Sequence, residues 1–166
     1  MVKNEPDIAT LILNTTTREG GISAILAHLV EEGLIPFEAA PEIQTGIDRR
    51  ETLGTTAIGN GLALPHLKHA CVDHPLLAVT LMKTPNGGWD SIDGEPVDVV
   101  FLIIAPYENL GSSCKGFFEM LMRRLGKGLG DRLRQATSPE VLTALIRTYT
   151  PEMSSFPPLR SRPSST

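Results

Sequence analysis

Cysteine is scarce in this chain. Cys71 and Cys114 are the only two in 166 residues, too far apart for a disulfide framework and without the Cys-x-x-Cys pair of a structural zinc or thioredoxin-like site. Free thiols in a reducing compartment are the expectation. An excess of basic charge is also missing, since 15 lysines and arginines face 19 aspartates and glutamates. That leaves no electrostatic footprint for nucleic acid and no basic amphipathic stretch for a membrane surface. No apolar run approaches the ~20 residues of a bilayer span. The polar start, Met1 to Asp7, lacks the basic-then-apolar pattern of a secretory signal, so a cytoplasmic protein is expected. The glycine-containing stretch from Gly54 to Gly61 has no Gly-Lys-Ser/Thr, and no Gly-x-Gly-x-x-Gly opens a helix, which excludes nucleotide hydrolysis.

What is present is an ordinary globular composition, 41% hydrophobic and 20% charged, with one domain the natural expectation. A chain of this length buries roughly 68–70% of its unfolded surface, so neither disulfide nor metal is needed for folding. No cofactor is expected. Ile22, Ile25, Leu26, Leu29 and Val30 form one apolar helical face that ends near Gly33. Ile43 and Ile47 permit a second short helix between Pro36 and Arg50, which Pro41 interrupts. Thr55 to Ile58 and Leu62 to Leu64 read as short strands joined by a tight turn at Gly59-Asn60-Gly61, which places His66 at a strand exit. Leu76 to Met82 and Val97 to Ile104 are further strands, the second so continuously apolar that it belongs mid-sheet. Pro85-Asn86-Gly87-Gly88 and Asp93-Gly94 carry turn chemistry between them.

Cys114, Phe117, Phe118, Leu121 and Leu125 mark another helix, with Ser112 or Ser113 as its N-cap and Gly126, Gly128 and Gly130 ending it. Ser138-Pro139-Glu140 opens a last helix that buries Val141, Leu142, Leu145 and Ile146. The fold class is α/β, a single domain over residues 1–150 with a small mixed sheet flanked by helices. Residues 151–166, rich in proline, serine and arginine, leave too little apolar surface to offset the entropy of ordering, so a disordered tail is expected.

The most informative stretch is Ala63-Leu64-Pro65-His66. Proline fixes its own φ near −65° and biases Leu64 towards an extended conformation, so the backbone aims the imidazole stiffly. A histidine with its ordinary pKa of about 6.5 is mostly neutral near pH 7 and needs no buried base to attack phosphorus. Positioning and charge stabilisation remain for the protein to supply: a fixed acceptor on the second ring nitrogen and donors aimed at the phosphoryl oxygens.

Arg50-Glu51, the run Thr55 to His66, Asp93-Gly94-Glu95-Pro96-Val97, the strand Val99 to Ala105, Pro106 and the helical pattern from Cys114 to Leu125 together resemble the enzyme IIA domains of the bacterial phosphotransferase system. The match is to the fructose, mannitol and nitrogen-regulatory type, and it covers roughly residues 6 to 148. The resemblance implies a mannitol-type IIA fold and makes His66 the phosphoryl acceptor. It implies a histidine-containing phosphocarrier protein as donor and a downstream IIB domain or a regulated protein as acceptor. Arg50 stands where the family has an Arg-Glu pair, and a guanidinium there would hold phosphate oxygens through bonds worth about 1.5–3 kcal/mol each. Arg49 is its alternative. Thr55 and Thr56 match a small hydroxyl position that could donate to phosphate, although threonine also suits a strand for its β-propensity.

The chain departs from the family at Cys114, which stands where these domains commonly carry a second histidine, with Lys115 following in place of an apolar residue. Lys115 or the helix N-terminus could stabilise the anion instead. Leu67 is a lesser departure, because a smaller residue usually follows the active histidine. With no attached permease or acceptor domain in the chain, the nitrogen-regulatory type is expected ahead of a sugar-uptake component.

Two other chemistries rank lower. His66, His69, Cys71 and His74 lie within nine residues and are all zinc-binding types, but their spacing matches no established ligand pattern, and an extended segment sends alternate side chains apart. No metal is therefore expected. Cys114 with His66 as a thiol–imidazole nucleophile pair requires the fold to join distant segments. A binding or metal-containing protein that has lost phosphoryl transfer is the remaining alternative.

Overall fold

The computed structural model of the chain describes residues 7–14, 17–83, 89–107 and 111–149, with backbone only for 111–118. The expected tail at 151–166 and the turn at Pro85-Asn86-Gly87-Gly88 lie outside the described residues. In chain order the elements are β1 (Asp7–Leu13), α1 (Arg18–Glu31), α2 (Ala39–Leu53), β2 (Ala57–Gly59), β3 (Leu62–Ala63), β4 (His66–Lys68), β5 (Leu76–Met82), β6 (Val99–Ala105), α3 (Gly111–Gly126), α4 (Leu129–Leu133) and α5 (Pro139–Tyr149).

The sheet runs β1-β5-β6-β3-β2, with β4 also paired to β6. It is mixed: β1 is parallel to β5, β5 antiparallel to β6, and β3 and β4 both parallel to β6. Continuous apolarity put β6 mid-sheet, and its alternation shows why. Val100, Leu102 and Ile104 face a core built with Ile22, Ile25, Leu29, Ile43 and Ile47 of α1 and α2. Val99, Phe101 and Ile103 face a second core with Met120, Leu121, Leu133, Leu142 and Ile146 of α3 to α5. A strand covered on both faces cannot alternate apolar with polar.

Helix α1 closes as its sequence requires. Gly33, at φ +70°, donates to the Val30 carbonyl while Leu34 donates to that of Leu29, a Schellman close in which glycine takes the left-handed position without a Cβ penalty. Pro41 does not interrupt α2. It lies in the first turn, where a missing N–H costs no intrahelical bond. Between β2 and β3, Asn60 and Gly61 both have positive φ, as a two-residue hairpin turn of the type I′ kind demands.

Several expectations are corrected. His66 opens β4 rather than closing a strand, because the chain continues along β6 past Pro65. Thr55 and Thr56 precede β2, held by a glutamate described below. Helix α3 starts at Gly111, so Ser112 and Ser113 fall inside its first turn instead of capping it. Val141 is 41% exposed, leaving Leu142 and Ile146 as the buried face of α5. Two elements carry no sequence signal strong enough to expect: the edge strand β1, and the five-residue α4 between Gly128 and Arg134.

Candidate active site

The centre of the site is the break between β3 and β4. Proline has no N–H for the ladder, yet the Pro65 carbonyl still accepts from Ile103 at 3.0 Å, so the register with β6 continues through it: Ala63 pairs with Val100 and His66 with Ile103. His66 therefore shares the sheet face of Ile103, which is the face covered by α3 to α5. Leu67 shares the opposite face with Ile104 and packs towards α2. Its Cδ1 lies 2.9 Å from where a Cβ on Gly46 would sit, so the absent side chain at Gly46 makes room for the larger residue after His66. Lys68, exposed and two residues on, returns to the face of His66; its period-two spacing from His66 is the one signal for it that the sequence carries.

The His66 ring is exposed, and its Nδ1 lies 2.8 Å from the Leu64 carbonyl oxygen. A carbonyl can only accept, so Nδ1 carries the hydrogen and the lone pair of the neutral ring belongs to Nε2. His69 is fixed in the opposite sense. The Cys71 N–H donates to its Nδ1 at 3.0 Å, which leaves its Nε2–H to donate to Glu42 Oε2 at 2.7 Å.

Around the strand start, Glu51 gathers three donors. Its Oε1 accepts from the Thr55 hydroxyl and the Thr56 N–H, both at 3.0 Å, and its Oε2 accepts from the Thr56 hydroxyl at 2.7 Å. The Thr55 hydroxyl oxygen accepts in turn from the Ala57 N–H. Arg50, in the last turn of α2, donates from Nη1 to the Gly54 carbonyl at 2.8 Å. The hairpin tip is pinned from two sides: the Asn60 N–H donates to Asp93, and Arg134 binds the Asn60 carbonyl, Asp98 and Asp131. The backbone of α3 carries Cys114, whose side chain lies outside the described residues, so its pairing with His66 is not described either.

The zinc candidates separate. His69 serves Glu42, while His74 bridges Asp73 and Asp7. Burial alone would lower the pKa of His74, but the bonds and charges of Asp7 and Asp73 outweigh it and raise it. Burial pushes the Cys71 thiol up, away from a thiolate ligand. Among the described residues no group of three His, Cys, Asp or Glu side chains is placed to hold a metal ion.

A family model described as phosphoenolpyruvate-dependent sugar phosphotransferase system, EIIA 2, matches residues 5–149. The chain belongs to this family. It is 35% identical over 84% of its length to a 2-O-alpha-mannosyl-D-glycerate-specific EIIABC component of Escherichia coli, of which it spans only 21%. It is 31% identical over 73% of its length to the nitrogen regulatory protein of Pseudomonas aeruginosa, covering 77% of that protein. In structure it resembles the nitrogen regulatory protein IIA-Ntr of Neisseria meningitidis, with TM-score 0.66, 26% identity, and 84% and 92% of the two chains covered. Its likeness to IIA mannitol of Escherichia coli, at TM-score 0.55, 19% identity and 82% and 94% coverage, is one of fold, and the expected mannitol-type architecture is borne out. Among the described residues no helix is long and apolar enough to cross a membrane.

Proposed function

We propose that His66 is a phosphoryl relay: it takes the group from the phosphohistidine of a small histidine-containing phosphocarrier protein and passes it to a downstream acceptor. The observation that carries this reading is the Leu64 carbonyl on Nδ1. It directs the lone pair to Nε2, which attacks phosphorus while the donor's P–N bond breaks and its electron pair returns to the donor imidazole. The proton stays on Nδ1, and the positive charge that develops on the ring strengthens its bond to Leu64. A ring that holds this proton is also the better leaving group when the phosphoryl moves on.

Arg50 and Thr55 are proposed as donors to the phosphoryl oxygens, each released from its present bond to Gly54 or Glu51. Cys114 is proposed to occupy the position of the family's second histidine. Leu125 lines a cleft with Leu62 and Asp98 at the far end of β6, and eleven helical residues back from it is about 16 Å. From Val99, the partner of Leu62, to Ile103, the partner of His66, is about 13 Å of strand. The two estimates of level agree, which supports Cys114 standing near His66.

The likeness to the Pseudomonas and Neisseria proteins favours the nitrogen-regulatory type. In that role, performed in the cytoplasm, phosphorylation of His66 changes the binding of a regulated protein. The identity with the Escherichia coli EIIABC component favours the second reading, donation to a IIB domain in sugar uptake. Intact-mass analysis with phosphoenolpyruvate, the general phosphotransferase enzyme and the phosphocarrier tests the shared step. One acid-labile adduct is expected, absent in His66→Ala; an adduct retained in the variant refutes the assignment, and no adduct on wild type with a cognate donor leaves a binding role. Pulldowns yielding the same partners with phosphorylated and unphosphorylated protein would reject the regulatory switch.

A further inference from the structure

Thr56 and Leu64 stand directly opposite each other in the antiparallel register that pairs Ala57 with Ala63. At such a position two residues ordinarily exchange both N–H···O bonds. Here the Leu64 N–H donates to the Thr56 carbonyl at 3.0 Å, but the Thr56 N–H turns to Glu51 Oε1, also at 3.0 Å. The Leu64 carbonyl, which the regular ladder would give to Thr56, accepts the His66 ring. We infer that Glu51 is a positioning residue: by taking the Thr56 N–H out of the ladder it releases the Leu64 carbonyl for His66 Nδ1 and so selects the ring tautomer with its lone pair on Nε2.

Glu51 is well placed to hold this arrangement. Its second oxygen takes the Thr56 hydroxyl at 2.7 Å, so residue 56 is gripped at two points, and Thr56 is only 7% exposed. Leu64 is constrained from both ends, by its N–H on Thr56 and by the following proline, which restricts its ψ. With its backbone direction fixed, what varies is who claims its carbonyl. Histidine free in water prefers its proton on Nε2, the opposite of what the Leu64 bond enforces. The device is an acceptor outside the ladder, so it depends on an oxygen at residue 51 and not on negative charge.

This inference rests on the reading of His66 as phosphoryl acceptor, but its first readout does not. Long-range proton–nitrogen correlation of the His66 ring, recorded at alkaline pH, reports the tautomer in unphosphorylated protein. Wild type and Glu51→Gln, whose amide oxygen can still take the Thr56 N–H, are expected to keep the proton on Nδ1. Glu51→Met, of similar length but with no such acceptor, is expected to shift it towards Nε2 and to lower kcat for phosphoryl transfer about tenfold with KM for the phosphocarrier unchanged. Glu42→Gln, which breaks the His69 bond from the same helix, is expected to leave the His66 signature as in wild type. An unchanged tautomer in folded Glu51→Met overturns the inference, as does loss of the tautomer in Glu51→Gln.

Should Glu51→Met fail to fold, a wild-type measurement decides. Coupling across the hydrogen bond from the Thr56 amide nitrogen to the Glu51 carboxyl carbon supports the inference, and coupling to the Leu64 carbonyl carbon overturns it. Failure of the underlying reading looks different: His66→Ala would still be phosphorylated while the tautomer series behaved as described.

Discussion

Gly61→Ala tests how tightly the hairpin before His66 is held. Gly61 has φ +74°, and a Cβ there would sit 2.5 Å from Asp98 Oδ1, 2.7 Å from Arg134 Nη2 and 3.3 Å from the Pro96 carbonyl. Placing alanine in the left-handed region costs about 1–2 kcal/mol before any contact is considered. The clash then pushes apart the Arg134–Asp98 pair, 2.8 Å long and about a quarter exposed on each side, which adds roughly 1 kcal/mol after discounting for solvent. The total is about 2–3 kcal/mol. With an m-value of about 2 kcal/mol/M in urea, the midpoint should fall by about 1–1.5 M with m unchanged. Gly33→Ala is the matched control, because Gly33 has φ +70° and nothing within 4 Å of its Cβ position; it should lose only the conformational part, about 1–2 kcal/mol. Equal losses for the two variants would refute the close approach of Asp98 and Arg134 to the hairpin tip.

Three further outcomes are expected. The pKa of His74 is raised in the folded state, so its contribution to stability is full below the ordinary value of about 6.5 and is lost as pH rises through the folded value; His74→Gln should destabilise the protein at pH 5.5 and much less at pH 9 in urea titrations, and an equal loss at both would reject the paired imidazolium. Gly46→Ala should be nearly neutral in wild type, where better helix propensity is offset by displacing Leu67, but should stabilise a Leu67→Ala background by about 1 kcal/mol. Additive effects in that cycle would exclude the contact. Cys114→His should raise single-turnover phosphoryl transfer to His66 by about tenfold or more, through an added donor to the transferring group; an unchanged or slower rate would detach position 114 from the site.

Legibility in the sequence followed the physics of burial. The strands β5 and β6 were readable because both faces are covered, leaving unbroken apolar runs, and α1 because its stripe meets one core. Glycine and asparagine at 59–61 announced a turn that only positive φ could make. By contrast β1 lies at the edge with only Ala9 and Leu11 buried, so its pattern is diluted, and α4 is too short to show a period. At the site, Pro65-His66 declared itself locally. The bond partners did not, because Glu51 reaches Thr56 around a helix end and Arg134 reaches Asn60 from 74 residues away. Those partnerships are properties of register, which a single sequence does not display.

Register also explains why a proline directly precedes the proposed nucleophile. Side chains alternate faces along a strand, so a slip of one residue between β3 and β4 would carry His66 to the face of α2, where Leu67 now packs, and expose Leu67 instead. A glycine or a bulge at position 65 would loosen the chain and invite such a slip. Proline gives up one ladder donor while its carbonyl still binds Ile103, so the count of residues against β6 is kept. The same ring that leaves the ladder incomplete restrains Leu64, whose carbonyl meets His66 Nδ1. One residue thus interrupts hydrogen bonding without interrupting register, and this combination presents an exposed imidazole directly after the buried run at residues 62–65, on the face that α3 covers.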